Sequence, residues 1–209
     1  MRHTGGMSNV WFGQGVADDG EFRLCGDVQG KRVIELGTPR GPVDPRAVPN
    51  AVTLALAGAK VIAIDPSGES ISNLRATAEA AEIRIECHQG ELADLGFVTS
   101  ASIDLVVAIH TLEHVDDLPR LLRQVHRVLR PELPFVFALT HPVAAMFDPG
   151  VAAPARRYGS GTSRSISDLF MQVERSNFHI DVLHELPLLA HRDALAPAVL
   201  LVRARKLGV

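Results

Sequence analysis

Cysteine is scarce in this chain: Cys25 and Cys87 are the only two, and they fall in no CxxC or Cys/His ligand spacing. That excludes a disulfide framework and a structural zinc site, and both thiols are expected as small buried hydrophobes. Charge of one sign is lacking as well. With 21 Lys+Arg against 24 Asp+Glu there is no broad basic field to hold a phosphate backbone, so no nucleic-acid partner is expected. Long hydrophobic runs are missing too. Residues 1–10 contain no apolar stretch that reads as a signal peptide, and the most apolar later segment, 51–64, is short and interrupted by Lys60. A cytoplasmic protein with no membrane partner is therefore expected. No internal repeat occurs.

At 209 residues and 46% hydrophobic, the chain is long enough for one sizeable core and short for two, which predicts a single domain over 1–209. Residues 33–37 (Val-Ile-Glu-Leu-Gly) read as a buried strand ending in glycine, and 60–66 as a second ending in Asp65-Pro66. The alanine- and leucine-rich stretch 50–57, closed by Gly58, reads as the helix between them. The alternation continues with a helix over 67–81, strands at 83–87 and 103–109, a helix from Asp116 until Pro131 stops it, and a strand at 135–139. Strands apolar throughout and separated by helices predict a doubly wound α/β parallel sheet covered on both faces.

Residues 1–29 are read as an N-terminal cap segment, and 143–165, rich in Pro, Gly, Ala and Ser, as a lid loop. Ser165 with Asp168 resembles a capping box opening a helix over 166–175. Strands at 180–186 and 198–203 follow without a helix between them, which predicts an antiparallel hairpin at the sheet edge.

In an open parallel sheet the ligand site lies beyond the carboxyl ends of the strands, beside the first of them. Gly37 and Asp65 stand at two such ends. A glycine there admits close backbone approach, and an acid ending the second strand can accept both hydroxyls of a ribose, which fits an adenosine-bearing cofactor. The other reading is a turn glycine and a helix N-cap.

Later segments narrow the choice. The ordered set Val33-Ile34-Glu35-Leu36-Gly37, Ile64-Asp65-Pro66-Ser67, Gln89-Gly90-Glu91-Leu92-Ala93-Asp94-Leu95, Ile103-Asp104-Leu105-Val106-Val107, Leu112-Glu113-His114-Val115 and Arg127-Val128-Leu129-Arg130-Pro131 resembles the class I S-adenosylmethionine-dependent methyltransferase family over residues 28–140. The resemblance implies a Rossmann-like seven-stranded sheet, mostly parallel with an antiparallel last strand, and methyl transfer from S-adenosyl-L-methionine to a small-molecule acceptor. It places Glu35 and Gly37 near the methionine end of the cofactor, with Gly41 in the same loop, and Asp65 on the ribose. Pro66 and Ser67 flank the adenine, Glu91 and Leu92 meet its edge, and Ala108, Ile109 and His110 line the sulfonium side. Glu35 also reads as a strand-end carboxylate capping a backbone turn.

The chain departs from the family in one loop. Where members carry Gly-x-Gly-x-Gly, this sequence has Gly37-Thr38-Pro39-Arg40-Gly41, and proline supplies no N–H and fixes φ. Asp65 follows Gly37 by 28 positions, against about 20 in a dinucleotide-binding βαβ unit. The alternative function is a non-catalytic methyltransferase-fold binding or interaction protein with a degenerate cofactor loop. A nicotinamide-dependent dehydrogenase would need the Gly-x-Gly-x-x-Gly that is absent.

His114 and His141, just past the fourth and fifth strands, are the candidate catalytic bases, because imidazole titrates near neutrality. His110-Thr111-Leu112-Glu113-His114 also matches the HxxEH pattern of inverted zinc peptidases, which requires a helix through the motif. Ubiquinone-type O-methyltransferases resemble this segment in carrying Glu-x-x-Glu-His for a divalent ion. His110, Glu113 and His114 therefore read either as a metal set or as residues packed under the following loop, and no metal is assigned. Trp11, Phe12, Met146, Phe147 and Tyr158 read as an apolar wall for the acceptor with Arg156 and Arg157 receiving an acidic group, or, alternatively, Trp11 reads as a packing anchor and the two arginines as a solvated loop pair.

Overall fold

Successive side chains on a strand point to opposite faces, so a strand that is apolar at every position feeds two cores. The computed structural model describes residues 9–38, 48–148, 150–151, 153–161, 163–190 and 196–208. In it β1 (Arg32–Leu36) sends Val33 to one core and Ile34 and Leu36 to the other. β2 (Lys60–Asp65), β4 (Leu105–Ile109) and β5 (Pro134–Thr140) alternate in the same way, as Phe135 and Phe137 against Val136 and Ala138 show. With β3 (Ile85–Gln89), β6 (Phe178–Leu186) and β7 (Val199–Lys206) they form one seven-stranded sheet ordered β3-β2-β1-β4-β5-β7-β6. The first five strands run parallel, and β7 is antiparallel to both β5 and β6. This is the Rossmann-like doubly wound α/β sheet, with the late hairpin at its edge.

One face is covered by α4 (Leu118–Val128) and α5 (Ile166–Arg175), which bury Leu121, Leu122, Val125, Leu169 and Val173 against the two phenylalanines of β5. The other is covered by α2 (Asn50–Leu56), by Leu74 of α3 (Gly68–Ala80) and by the chain before β1. Val10, Phe12, Val16, Leu24 and Val28 are all buried there, around the short α1 (Asp19–Phe22). The segment expected as a cap is thus, over its described part, a filling of the second core. Asp19 secures it by accepting the Leu24 N–H at 2.6 Å.

Helix starts follow the caps that the sequence carries. Ser67 Oγ accepts the Ser70 N–H, Asp117 accepts the Arg120 N–H with Pro119 in the first turn, and Ser165 Oγ accepts the Asp168 N–H. Two strand starts differ from expectation. Glu82 adopts φ 55 and the Ile83 N–H returns to Ala78 O, so α3 closes before β3 begins at Ile85. Asp104 turns its carboxylate onto the Arg32 N–H at 2.9 Å and Ile103 makes an isolated bridge to Leu129, so the β4 ladder begins at Leu105. Between β5 and α5 the described chain is irregular apart from a 3-10 turn at Ala144–Met146 and an isolated antiparallel bridge between Phe147 and Pro154.

Candidate functional site

The sheet reverses its winding between β1 and β4, and the turns after β1, β2, β3 and β4 meet beyond that point. Gly37 leaves β1 at φ 72, and its N–H donates to Ile64 O at 2.7 Å. A Cβ at this position would stand 2.6 Å from Thr111 Cγ2, so both backbone angle and space demand glycine. Asp65, buried at the end of β2, joins two turns. Its Oδ2 accepts the Thr38 N–H at 2.6 Å and the Thr38 hydroxyl at 2.7 Å, and its Oδ1 accepts the Ser67 N–H at 2.7 Å.

Gly37, Thr38, Asp65 and Pro66 line one cleft together with Glu91, Leu92 and Ala93 from the turn after β3. Its remaining wall is Thr111, His114, Val115, Asp116, Asp117 and Arg120, from the turn after β4 and the start of α4. Of the residues expected from sequence, Gly37, Asp65, Pro66, Glu91, Leu92 and His114 are therefore brought together. Thr38, Thr111, Asp116 and Asp117 were not anticipated. Asp117 carried a usable signal, since an acid before Leu118-Pro119 is an N-cap, and the turn that orients a cap also points its neighbours.

The other expected residues that the structure describes are not part of the cleft lining. Glu35 is fully buried on the α2 side, where Oε2 accepts the Ala51 N–H at 3.0 Å and Oε1 has no partner among the described residues. Burial, reinforced by the charge of Asp65 and opposed by the Ala51 bond, pushes its carboxyl up to about 8. Ser67 caps α3. Ala108 and Ile109 send their side chains into the two cores, so only their backbone faces the strand ends. Gly41 lies outside the described residues, as do Pro39 and Arg40.

The two catalytic candidates differ in availability. His114 is exposed in the cleft wall. His141 is buried, its Nδ1 accepting the Val143 N–H at 3.2 Å while Nε2 lies 2.8 Å from Glu185 Oε1, so both ring nitrogens are committed. His110, at φ 51, donates from Nε2 to Phe12 O at 3.0 Å, with Nδ1 3.5 Å from Glu113 Oε1. Glu113 also accepts the Thr140 N–H. Burial pushes its carboxyl up, but His110 and Thr140 outweigh that and hold it below its ordinary value.

The strand ends at Ile109 and only a 3-10 turn, Leu112–His114, follows, so the helix that an HxxEH zinc site requires is not formed. Among the described residues no three His, Cys, Asp or Glu side chains are placed to hold a metal ion. On the acceptor side Trp11 packs on His110 with ring centres 6.0 Å apart, and Phe12 is wholly buried. Arg156, read either as receiving an acidic group or as lying solvated, is exposed and paired with Asp148.

Comparison with known proteins agrees with this fold. The family described as "Methyltransferase domain" matches residues 48–137, inside the span of the sequence resemblance. A probable S-adenosylmethionine-dependent methyltransferase of Mycolicibacterium smegmatis is 27% identical over 159 residues, 76% of this chain and 56% of that protein. A ubiquinone biosynthesis O-methyltransferase of Azorhizobium caulinodans is 29% identical over 114 residues, 53% of this chain and 41% of that protein. The chain spans about half the length of these curated relatives. The crystal structure of an S-adenosylmethionine-dependent methyltransferase from Mesorhizobium loti superposes with a TM-score of 0.69 at 26% identity, covering 88% of this chain and 95% of that one.

Proposed function

We propose that the chain is a class I S-adenosylmethionine-dependent methyltransferase that transfers the cofactor's methyl group to a small-molecule acceptor. The observation that carries the reading is the pairing of Gly37 and Asp65. They end adjacent parallel strands, where Leu36 is in register with Ile64, and line one cleft with Glu91 and Leu92.

One feature of the cleft fits such a cofactor directly. Gly37 offers backbone with no side chain to intervene. When bound, S-adenosylmethionine supplies a methyl group on a positively charged sulfur for in-line displacement by a nucleophilic atom. In this reading Asp65 holds the ribose, Pro66 and Ser67 flank the adenine, and Glu91 and Leu92 meet its edge. The backbone of Ala108, Ile109 and His110 borders the sulfonium. His114 is the exposed imidazole able to take a proton from an acceptor, while His141, held by Glu185 and Val143, supports the end of β5.

A small-molecule acceptor is supported by the named activity of the ubiquinone biosynthesis relative. The reading without a nucleic-acid partner is supported by the near balance of charge. Among the described residues no helix is long and apolar enough to cross a membrane. One observation favours a second reading, a binding protein without turnover: Thr38 already gives two hydrogen bonds to the oxygen of Asp65 that a ribose would use.

Parallel calorimetric titrations with S-adenosylhomocysteine and NAD test the proposal. Binding of S-adenosylhomocysteine alone supports it. Binding of NAD alone, or of neither ligand by a folded protein, overturns it.

A further inference from the structure

The segment between β5 and α5 ends at Arg164, next to the residue that caps α5. The Arg164 side chain reaches the turn after β4: Nη1 donates to Leu112 O at 2.9 Å and Nη2 donates to Val115 O at 2.5 Å. Those two carbonyls bracket the 3-10 turn Leu112–His114. Within the turn, the backbone bonds are His114 N–H to Thr111 O at 3.0 Å and Val115 N–H to Leu112 O at 3.3 Å. Single 3-10 turns have poor hydrogen-bond geometry and little stability of their own. The guanidinium therefore supplies as many bonds to this turn as its own backbone does.

The chemistry at Arg164 suits a clamp. A planar guanidinium can meet two fixed carbonyls at once, which an ammonium on a flexible stem does less well. Partial burial lowers the basicity of the guanidinium, and the nearby charges of Asp116 and Glu113 offset part of that effect. Ser165, the following residue, accepts the Asp168 N–H and donates its hydroxyl to Asp168, so the clamp is mounted on a fixed helix start.

We propose that Arg164 is a positioning residue of the cofactor site, holding the Leu112–His114 turn so that Thr111, His114 and Val115 keep their places in the cleft wall. The inference rests on reading that cleft as the cofactor site. It joins the wall to a segment some 50 positions away in sequence, as the separations of 52 and 49 between bonded residues state. Any movement of that segment that withdraws Arg164 then loosens the wall.

The test uses wild type, Arg164→Met and Arg164→Lys. Amide hydrogen exchange is measured on ligand-free protein, and S-adenosylhomocysteine affinity by calorimetry. In Arg164→Met the His114 and Val115 amides should exchange about tenfold or more faster, with the β5–β7 ladder unchanged, and the ligand should bind about tenfold more weakly. Arg164→Lys should fall between the two on both measures. Unchanged exchange at the turn, an equal rise in the ladder, or a loosened turn with unaltered affinity each overturn the proposal. If wild type fails to bind S-adenosylhomocysteine, the cofactor reading is what has failed, and exchange on the ligand-free variants still decides whether the clamp exists.

Discussion

Thr38 gives both its backbone N–H and its hydroxyl to the same carboxylate oxygen of Asp65, at 2.6 and 2.7 Å. The residue after the first strand thereby closes onto the acid that ends the second, and on the proposed reading a ribose hydroxyl would share or displace that contact. Thr38→Val removes the hydroxyl and keeps the shape. It should tighten S-adenosylhomocysteine binding by roughly three- to tenfold, the worth of one net hydrogen bond, whereas Thr38→Ser should leave it unaltered. Asp65→Ala should weaken the same binding by about 1.5 to 3 kcal/mol, in protein shown to be folded by circular dichroism. Equal affinity in Asp65→Ala and wild type would remove Asp65 from the site.

Gly37 and Thr111 occupy each other's space. Gly37→Ala should cost about 1 to 2 kcal/mol from the left-handed backbone and about 1 to 3 kcal/mol more from the collision with Thr111 Cγ2. Thr111→Ala should recover the second part and none of the first. A double-mutant cycle by urea denaturation checks this, and strict additivity would show that the two residues do not meet.

Glu35 makes stability depend on pH. Its carboxyl rises from 4.5 to about 8 on folding, so between those values the native chain binds more protons than the unfolded one. Stability is then full below 4.5, declines by about 1.4 kcal/mol per pH unit through the window, and levels off above 8. Glu35→Gln should flatten that decline. Denaturation at several pH values compares the two proteins, and parallel curves would mean that Glu35 ionises normally.

Phe12 distinguishes a cover from a core. It is wholly buried among residues of β1, β4 and α2, so Phe12→Ala should cost about 3 to 5 kcal/mol. A loss below about 1 kcal/mol would mark the N-terminal segment as a detachable flap.

Several features of the site were legible in the order of residues. Gly37 and Asp65 are informative because a strand's end and its polarity are local properties, and both stand where the residues around them require. His141 shows the limit. Its position past β5 was readable, but its commitment to Glu185 depends on β6 and β7 folding back beside β5, a pairing across 44 positions. The same holds for His110, whose partner Phe12 lies 98 positions away.

By itself the sequence determined the alternation of strand and helix, the two-faced burial of the sheet, the caps at Ser67 and Ser165, and the residues that end β1 and β2. These follow from periodicity, backbone preference and hydrogen bonds that span only a few residues. Tertiary structure decided which side chains share the cleft, that the segment before β1 fills a core, and that Arg164 reaches the turn at Leu112–His114. Those contacts join residues far apart in the chain, and their energy exists only once the sheet has brought the strand ends together.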